Sequence, residues 1–225
     1  GHTGALGVAS STNGETFRVG DPQPPFYSAR LFLRQNFALG GDLERVDADA
    51  NLHAGPRPKD RITITVGKIC LADIFDNNTY SHDPRTQFLS WGLMDNGAWD
   101  YSANVRGYTP AFAVELFKGQ EEFRYAFSLL PVEANGATMD WDIAQTHGQV
   151  AEYVHNYKCH GKPGAVRLLA YLNTAGMGNY RESIALDPSA PSIIATREAG
   201  RTKWGFGLNA EQGITKDLGA FLRAG

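Results

Sequence analysis

Between Phe75 and Phe88 the chain reads FDNNTYSHDPRTQF, a dense run of amides, carboxylates, one histidine and one arginine that directly follows the apolar stretch RITITVGKICLADI. Several chemistries need such groups. Asp76, Asn77 and Asn78 open like a calcium loop, but Ser81 stands at the sixth position where glycine makes the sharp turn. Gln87 stands at the twelfth, where a bidentate glutamate is required. His82 with Asp83, or His147, His155 and His160, are metal-ligand types without the i, i+4 spacing that puts two imidazoles on one helical face. Asp95 and Asp100 are the residue types of a glycosidase acid and base, but they sit beside glycine and asparagine in MDNGAWD, a turn-forming context. No G-x-S-x-G or P-loop occurs. Cys70 and Cys159 are the chain's two cysteines and form no C-x-x-C pair, so neither a zinc knuckle nor a disulfide framework is expected.

The elements that would have to position these groups are strands. Arg61–Val66 alternates Ile62, Ile64 and Val66 against Arg61, Thr63 and Thr65, the period-2 signature of a strand with two different environments. Ser28–Leu39, Tyr108–Phe117, Phe123–Leu129, Ala165–Asn173, Trp204–Gln212 and Leu218–Arg223 repeat the pattern. Gly148–Tyr157 and Trp99–Val105 repeat it more weakly, giving about eight or nine strands by period. Segments rich in Pro, Gly, Asn and Asp separate them, as at Asp47–Asp60, Ala134–Asp142 and Asp187–Gly200. The 225 residues show no composition shift and are read as a single domain, 1–225.

The polar parity of these strands is distinctive. It carries arginine repeatedly (Arg30, Arg34, Arg61, Arg124, Arg167, Arg223), with Asn, Glu and Tyr between. A soluble sandwich turns its apolar parity to a second sheet. A transmembrane barrel turns it to lipid and keeps the polar parity for a lumen. Periodicity fits both plans, so a soluble all-β carbohydrate-binding module or glycoside hydrolase stands as the alternative. The formal net charge of -3 and the lack of a Lys/Arg block argue against nucleic acid as a partner. No window approaches the roughly 18 apolar residues of a spanning helix.

The wording of the sequence goes further than its period. TVGKICLADIFDNNTYSHDPRTQFLSWGLMDNGAWDY, RGYT, LLPVEANG and RLLAYLNTAGMGNYRES resemble the carbohydrate-selective porin family of OprB type. ARLFLRQNFALGG near the start and WGFGLNAEQGITKDLGAFLRAG at the end resemble it too, so the resemblance covers nearly the whole chain. It implies an antiparallel outer-membrane β-barrel of an expected 16 strands, of which this chain would supply about half as an open partial barrel. It also implies a passive sugar channel with no enzyme activity and no cofactor, placed in the Gram-negative outer membrane after removal of a signal peptide. Carbohydrate solutes and outer-membrane lipid are the implied partners, and homo-oligomers are compatible with it. On that plan Arg30, Arg34, Glu115, Arg124, Arg167 and Tyr171 line the solute path, because a guanidinium offers several donors in fixed geometry and an aromatic face stacks on a sugar ring. Asp76, Asn77, Asn78, His82, Asp83 and Arg85 then belong to a segment folded in to shape the pore.

Overall fold

A computed structural model describes residues 26–49, 51–83, 86–88 and 90–225. Eight strands form one antiparallel sheet: β1 (Leu31–Val46), β2 (Gly55–Ile69), β3 (Thr109–Lys118), β4 (Glu121–Ser128), β5 (His147–Cys159), β6 (Lys162–Met177), β7 (Glu198–Gly213) and β8 (Gly219–Ala224). Each pairs with the next in chain order, so the sheet is a meander whose two edges are β1 and β8. The expected strand at Trp99–Val105 does not form; those residues lie in the connection between β2 and β3. Trp99 owes its apolar pattern to packing edge-on against Phe75, at 6.0 Å between ring centroids, rather than to a ladder.

Connection lengths alternate. Between β5 and β6 the chain reverses through His160 and Gly161, at φ 49° and 76°, the two left-handed residues that match a tight turn to the twist of a hairpin. The connections 119–120 and 214–218 are also short, whereas 70–108, 129–146 and 178–197 are long. Two short helices sit in the long ones, α1 (Trp91–Met94) and α2 (Tyr180–Leu186). Asn179 caps α2, its side-chain oxygen accepting from the backbone N–H groups of Arg181 and Glu182.

The register assigns every side chain to a face. Val66 pairs with Phe112, Phe112 with Phe127, Leu168 with Leu208 and Leu172 with Trp204, so the apolar parity runs continuously across the sheet. It is bare: Leu33 is 75 % exposed, Trp204 71 %, Phe206 64 % and Leu168 53 %. The other face carries the arginines, and its middle is buried beneath the 70–108 connection. Ile69, Leu71, Ile74, Phe75 and Trp99 pack there on Ala113, Ala126, Val150, Leu169 and Tyr171. The core is therefore small, lies on the polar side of the sheet, and consists of one segment laid on a wall.

Candidate pore-shaping segment

The segment leaves β2 through a 3-10 turn, Leu71–Asp73, and drops Phe75 into full burial. Asp76 follows at φ 56°, a left-handed conformation that aspartate tolerates better than most residues with a Cβ. That turn aims every polar atom of Asp76 at a partner. Its N–H donates to Glu152 Oε2 at 2.7 Å on β5. Its Oδ1 accepts from Asn209 Nδ2 at 2.6 Å on β7, and its Oδ2 accepts from the Asn96 N–H at 2.7 Å within the segment. Arg223 on β8 places Nε 2.9 Å from the same Oδ2 and donates from Nη2 to the Asp76 carbonyl at 3.0 Å. One residue thus joins three strands to the returning half of the connection.

Its neighbours extend the fastening. Asn77 donates to the Ile74 carbonyl at 2.9 Å, and Asn78 donates to Asn209 Oδ1 at 2.8 Å. Thr79 binds Glu211 twice, through N–H to Oε2 and hydroxyl to Oε1. The His82 ring meets the Ala72 carbonyl at 2.8 Å through Nε2, which ties the two limbs of the turn together. Asp83 accepts from the Thr86 hydroxyl at 2.6 Å, and Gln87 Oε1 accepts from the N–H groups of His82 and Asp83. Arg85 lies outside the described residues.

The wall residues expected on the solute path divide into two sets. Arg167 is buried, and Arg124 keeps only a small part of its side chain exposed. Arg124 donates to the Ile74 carbonyl and to Glu152 Oε1 at 3.1 Å, is paired with Glu122, and lies 3.9 Å from Glu115 Oε1. Arg167 donates to Glu211 Oε1 at 3.2 Å, the carboxylate that also holds Thr79. Tyr171 is buried over Gly205, whose Cβ, if it had one, would fall 2.6 Å from the ring. Asn96 covers Gly207 in the same way. Arg30 makes a two-point bond to Asp73 at 2.8 Å and rests 5.0 Å over the Tyr108 ring, clamping the start of the segment.

Arg34 belongs to the second set. It donates from Nε to Thr65 at 3.1 Å and lies over Phe32 at 5.2 Å, with Asn36 and Thr63 bonded beside it at 2.7 Å. Arg61 lies 3.6 Å over Phe117 on the same face. Glu152 and Asn96 also hold the segment, through Asp76, and were not singled out in the sequence. Register would have found Glu152, which pairs across the ladder with Arg124, whereas no pattern marks Asn96.

The segment's own electrostatics centre on Asp95, which is 6 % exposed and has neither carboxylate oxygen hydrogen-bonded among the described residues. Burial pushes its carboxyl up to about 6, reinforced by Asp76 and opposed by His82 and Arg223. Asp100 is instead exposed and paired with Lys203 at 2.9 Å, so the two aspartates occupy different environments. No group of three or more metal-ligating side chains gathers among the described residues. Cys70 and Cys159 are free thiols; burial pushes the Cys70 thiol up to about 12.

A meander with a bare apolar exterior, a charged and hydrogen-bonded interior, and a connection folded onto that interior defines the wall of a porin-type transmembrane β-barrel. The profile of the carbohydrate-selective porins, OprB family, matches residues 2–225, and the chain belongs to that family. No curated protein matches it significantly. A solved structure, Pseudomonas putida OprB at high pH, aligns at 19 % identity and a TM-score of 0.46 over 68 % of this chain and 37 % of that one. The aligned part thus spans well under half the length of that relative.

Proposed function

We propose that this chain forms, as one domain over 1–225, part of the wall of a passive outer-membrane channel for monosaccharides and related sugars. The observation that supports this best is the fastening of an inward segment by buried ion pairs beside a stretch of wall where guanidinium groups lie over aromatic rings. A hydroxylated solute entering a narrow passage gives up water, and fixed donors and acceptors must replace it without holding the solute too long. On this reading Arg34 and Asn36 face solute, with Arg34 held from behind by the buried Thr65 and by the Phe32 ring. Arg30, Glu115, Arg124, Arg167 and Tyr171 shape the path by holding the segment, as do Asp76, Asn77, Asn78, His82 and Asp83 from within it. Nothing here needs a nucleophile, cofactor or metal, because diffusion down a gradient breaks no bond. The short connections 119–120, 160–161 and 214–218 would face the periplasm and the long ones the exterior, with lipid against the apolar face.

Liposome swelling in monosaccharides, with the full-length porin reconstituted, tests the reading. Arg34→Ala removes one solute-facing donor, and a net hydrogen bond of about 0.5–1.5 kcal/mol corresponds to a change in sugar flux of about two- to tenfold. Arg124→Ala should change the passage for all solutes alike, because it loosens the segment rather than a contact. Equal flux of sugars and unrelated solutes of the same size in native protein and in both variants would overturn the proposal. A chain that stays monomeric in water without detergent would favour the soluble carbohydrate-binding reading instead.

A further inference from the structure

The apolar outer face of the sheet is not level. Ala151 on β5 and Ala170 on β6 are partners in the ladder, with Tyr125 beside Ala151 on β4. Phe123, Tyr153 and Leu168 fill the next outward row of the same three strands. The two methyl groups floor an open groove of about 500 Å³ between these larger side chains, a volume that accepts a small ligand or part of a chain molecule. Tyr125 borders its far end, and its hydroxyl is already spent on Gln149 at 2.9 Å. At the other end, toward the 119–120 connection, the chemistry changes. Glu121 on β4 pairs across the ladder with His155 on β5. Its Oε1 accepts from His155 Nδ1 at 2.8 Å and its Oε2 accepts from the Tyr153 hydroxyl, while the His155 ring stacks on Tyr157 at 6.0 Å. These bonds fix the carboxylate at the mouth of the groove and leave it lone pairs for a further donor. Lys118, the ladder partner of Glu121 on β3, is exposed; its ammonium meets Asp60 at 2.9 Å and keeps donors to spare.

We propose, resting on the channel reading above, which sets lipid against the apolar face, that this groove seats one phospholipid with an ethanolamine headgroup. An acyl chain lies over Ala151 and Ala170, the headgroup ammonium donates to Glu121, and the phosphate accepts from Lys118. Length and charge select this occupant. From Glu121 to Tyr125 the strand advances four residues, about 14 Å, or about 11 Å along the membrane normal at the usual tilt of about 40°. That fits inside one leaflet's half of the roughly 25 Å apolar band of such barrels, whereas a second copy of the chain would cover the whole height. A carboxylate beside an ammonium complements a zwitterion that carries both charges in its headgroup. A lipid without an amine would set its phosphate against Glu121, two like charges, and a quaternary amine has no N–H to give that carboxylate.

Native mass spectrometry of the full-length porin, stripped of lipid in detergent and titrated with phosphatidylethanolamine, phosphatidylcholine and phosphatidylglycerol of the same acyl chains, tests the site. The ethanolamine lipid should bind about two- to fivefold more tightly than the other two, the range of an exposed ion pair. Glu121→Gln keeps an acceptor for the Tyr153 hydroxyl and should remove that preference. Ala151→Leu fills the groove at an exposed position without touching the ladder, and should weaken all three lipids alike. Equal affinities in the native protein, a preference that survives Glu121→Gln, or binding unmoved by Ala151→Leu would overturn the site. A mass of several chains that Ala151→Leu reduces to one, with no lipid bound, would overturn it in favour of a second copy. The native series alone decides if a variant does not fold. Absence of sugar flux with the ethanolamine preference intact would remove the channel reading and leave the lipid site standing; normal flux with no preference would remove the lipid site alone.

Discussion

Asp76 carries more of the segment's placement than any other side chain, because its backbone and carboxylate together meet Glu152, Asn209, Asn96 and Arg223. Removing the carboxylate strands a buried guanidinium and a buried amide, and breaking such a pair from one side costs about 3–5 kcal/mol. Asp76→Ala should therefore lower resistance to urea in micelles by that order, whereas Asp76→Asn, which keeps the left-handed conformation and an acceptor oxygen, should cost clearly less. Equal losses in the two variants, followed by the shift of the β-barrel band on gels, would mean that backbone geometry rather than the ion pair fixes the turn. Little of this was legible in advance. The richness of the stretch in Asp and Asn marked a polar turn, but its partners Glu152 and Asn209 lie 76 and 133 positions away. Pairing at that separation is set by the register of a whole sheet, which local residue types do not encode.

At the scale of elements the period was a reliable guide wherever one face meets a uniform medium. The expected stretches Arg61–Val66, Tyr108–Phe117, Phe123–Leu129, Ala165–Asn173 and Trp204–Gln212 all lie on strands of the ladder with the predicted parity, apart from short overhangs at their ends. It misled at Trp99–Val105, where Trp99 and Tyr101 alternate because their rings pack tilted on each other at 5.4 Å and Trp99 meets Phe75 edge-on, with no sheet involved. The inner glycines are the complementary signal. Gly205 and Gly207 interrupt the polar parity of β7 where Tyr171 and Asn96 need room, so the strand's lack of side chains is a docking surface for its own fold. Gly207→Val would meet Asn96 and force it off the wall, with an overpacking cost of about 1–3 kcal/mol. The expected result is lower thermal stability of the folded band and faster exchange at 96–99, with β6–β7 pairing intact. Unchanged exchange there would show that Asn96 does not anchor the returning half.

At the scale of the molecule, the decisive property is which face of the sheet avoids water. The bare parity of β1–β8 runs Leu33, Val66, Phe112, Phe123, Leu168, Phe206 and Leu222, an unbroken apolar surface for which no second layer exists among the described residues. Burying that surface in hydrocarbon removes it from water, while the carboxylate-paired arginines remain on the side where the segment and solvent satisfy them. Two substitutions of the same chemistry then separate lipid from water as the outer medium. Leu168→Arg puts a charge on the outer face of β6 and should cost about 2–4 kcal/mol if it sits near the bilayer middle. Asn36→Arg puts the same charge on the inner face of β1, where Asn36 is exposed and bonded to Thr63, and should cost much less. Urea titrations of both variants in lipid bilayers, scored by the folded-band shift, give the difference. If Leu168→Arg were as mild as Asn36→Arg, the outer face would be wetted, and a sheet that keeps its arginines inside for the sake of a lumen would lose its physical reason.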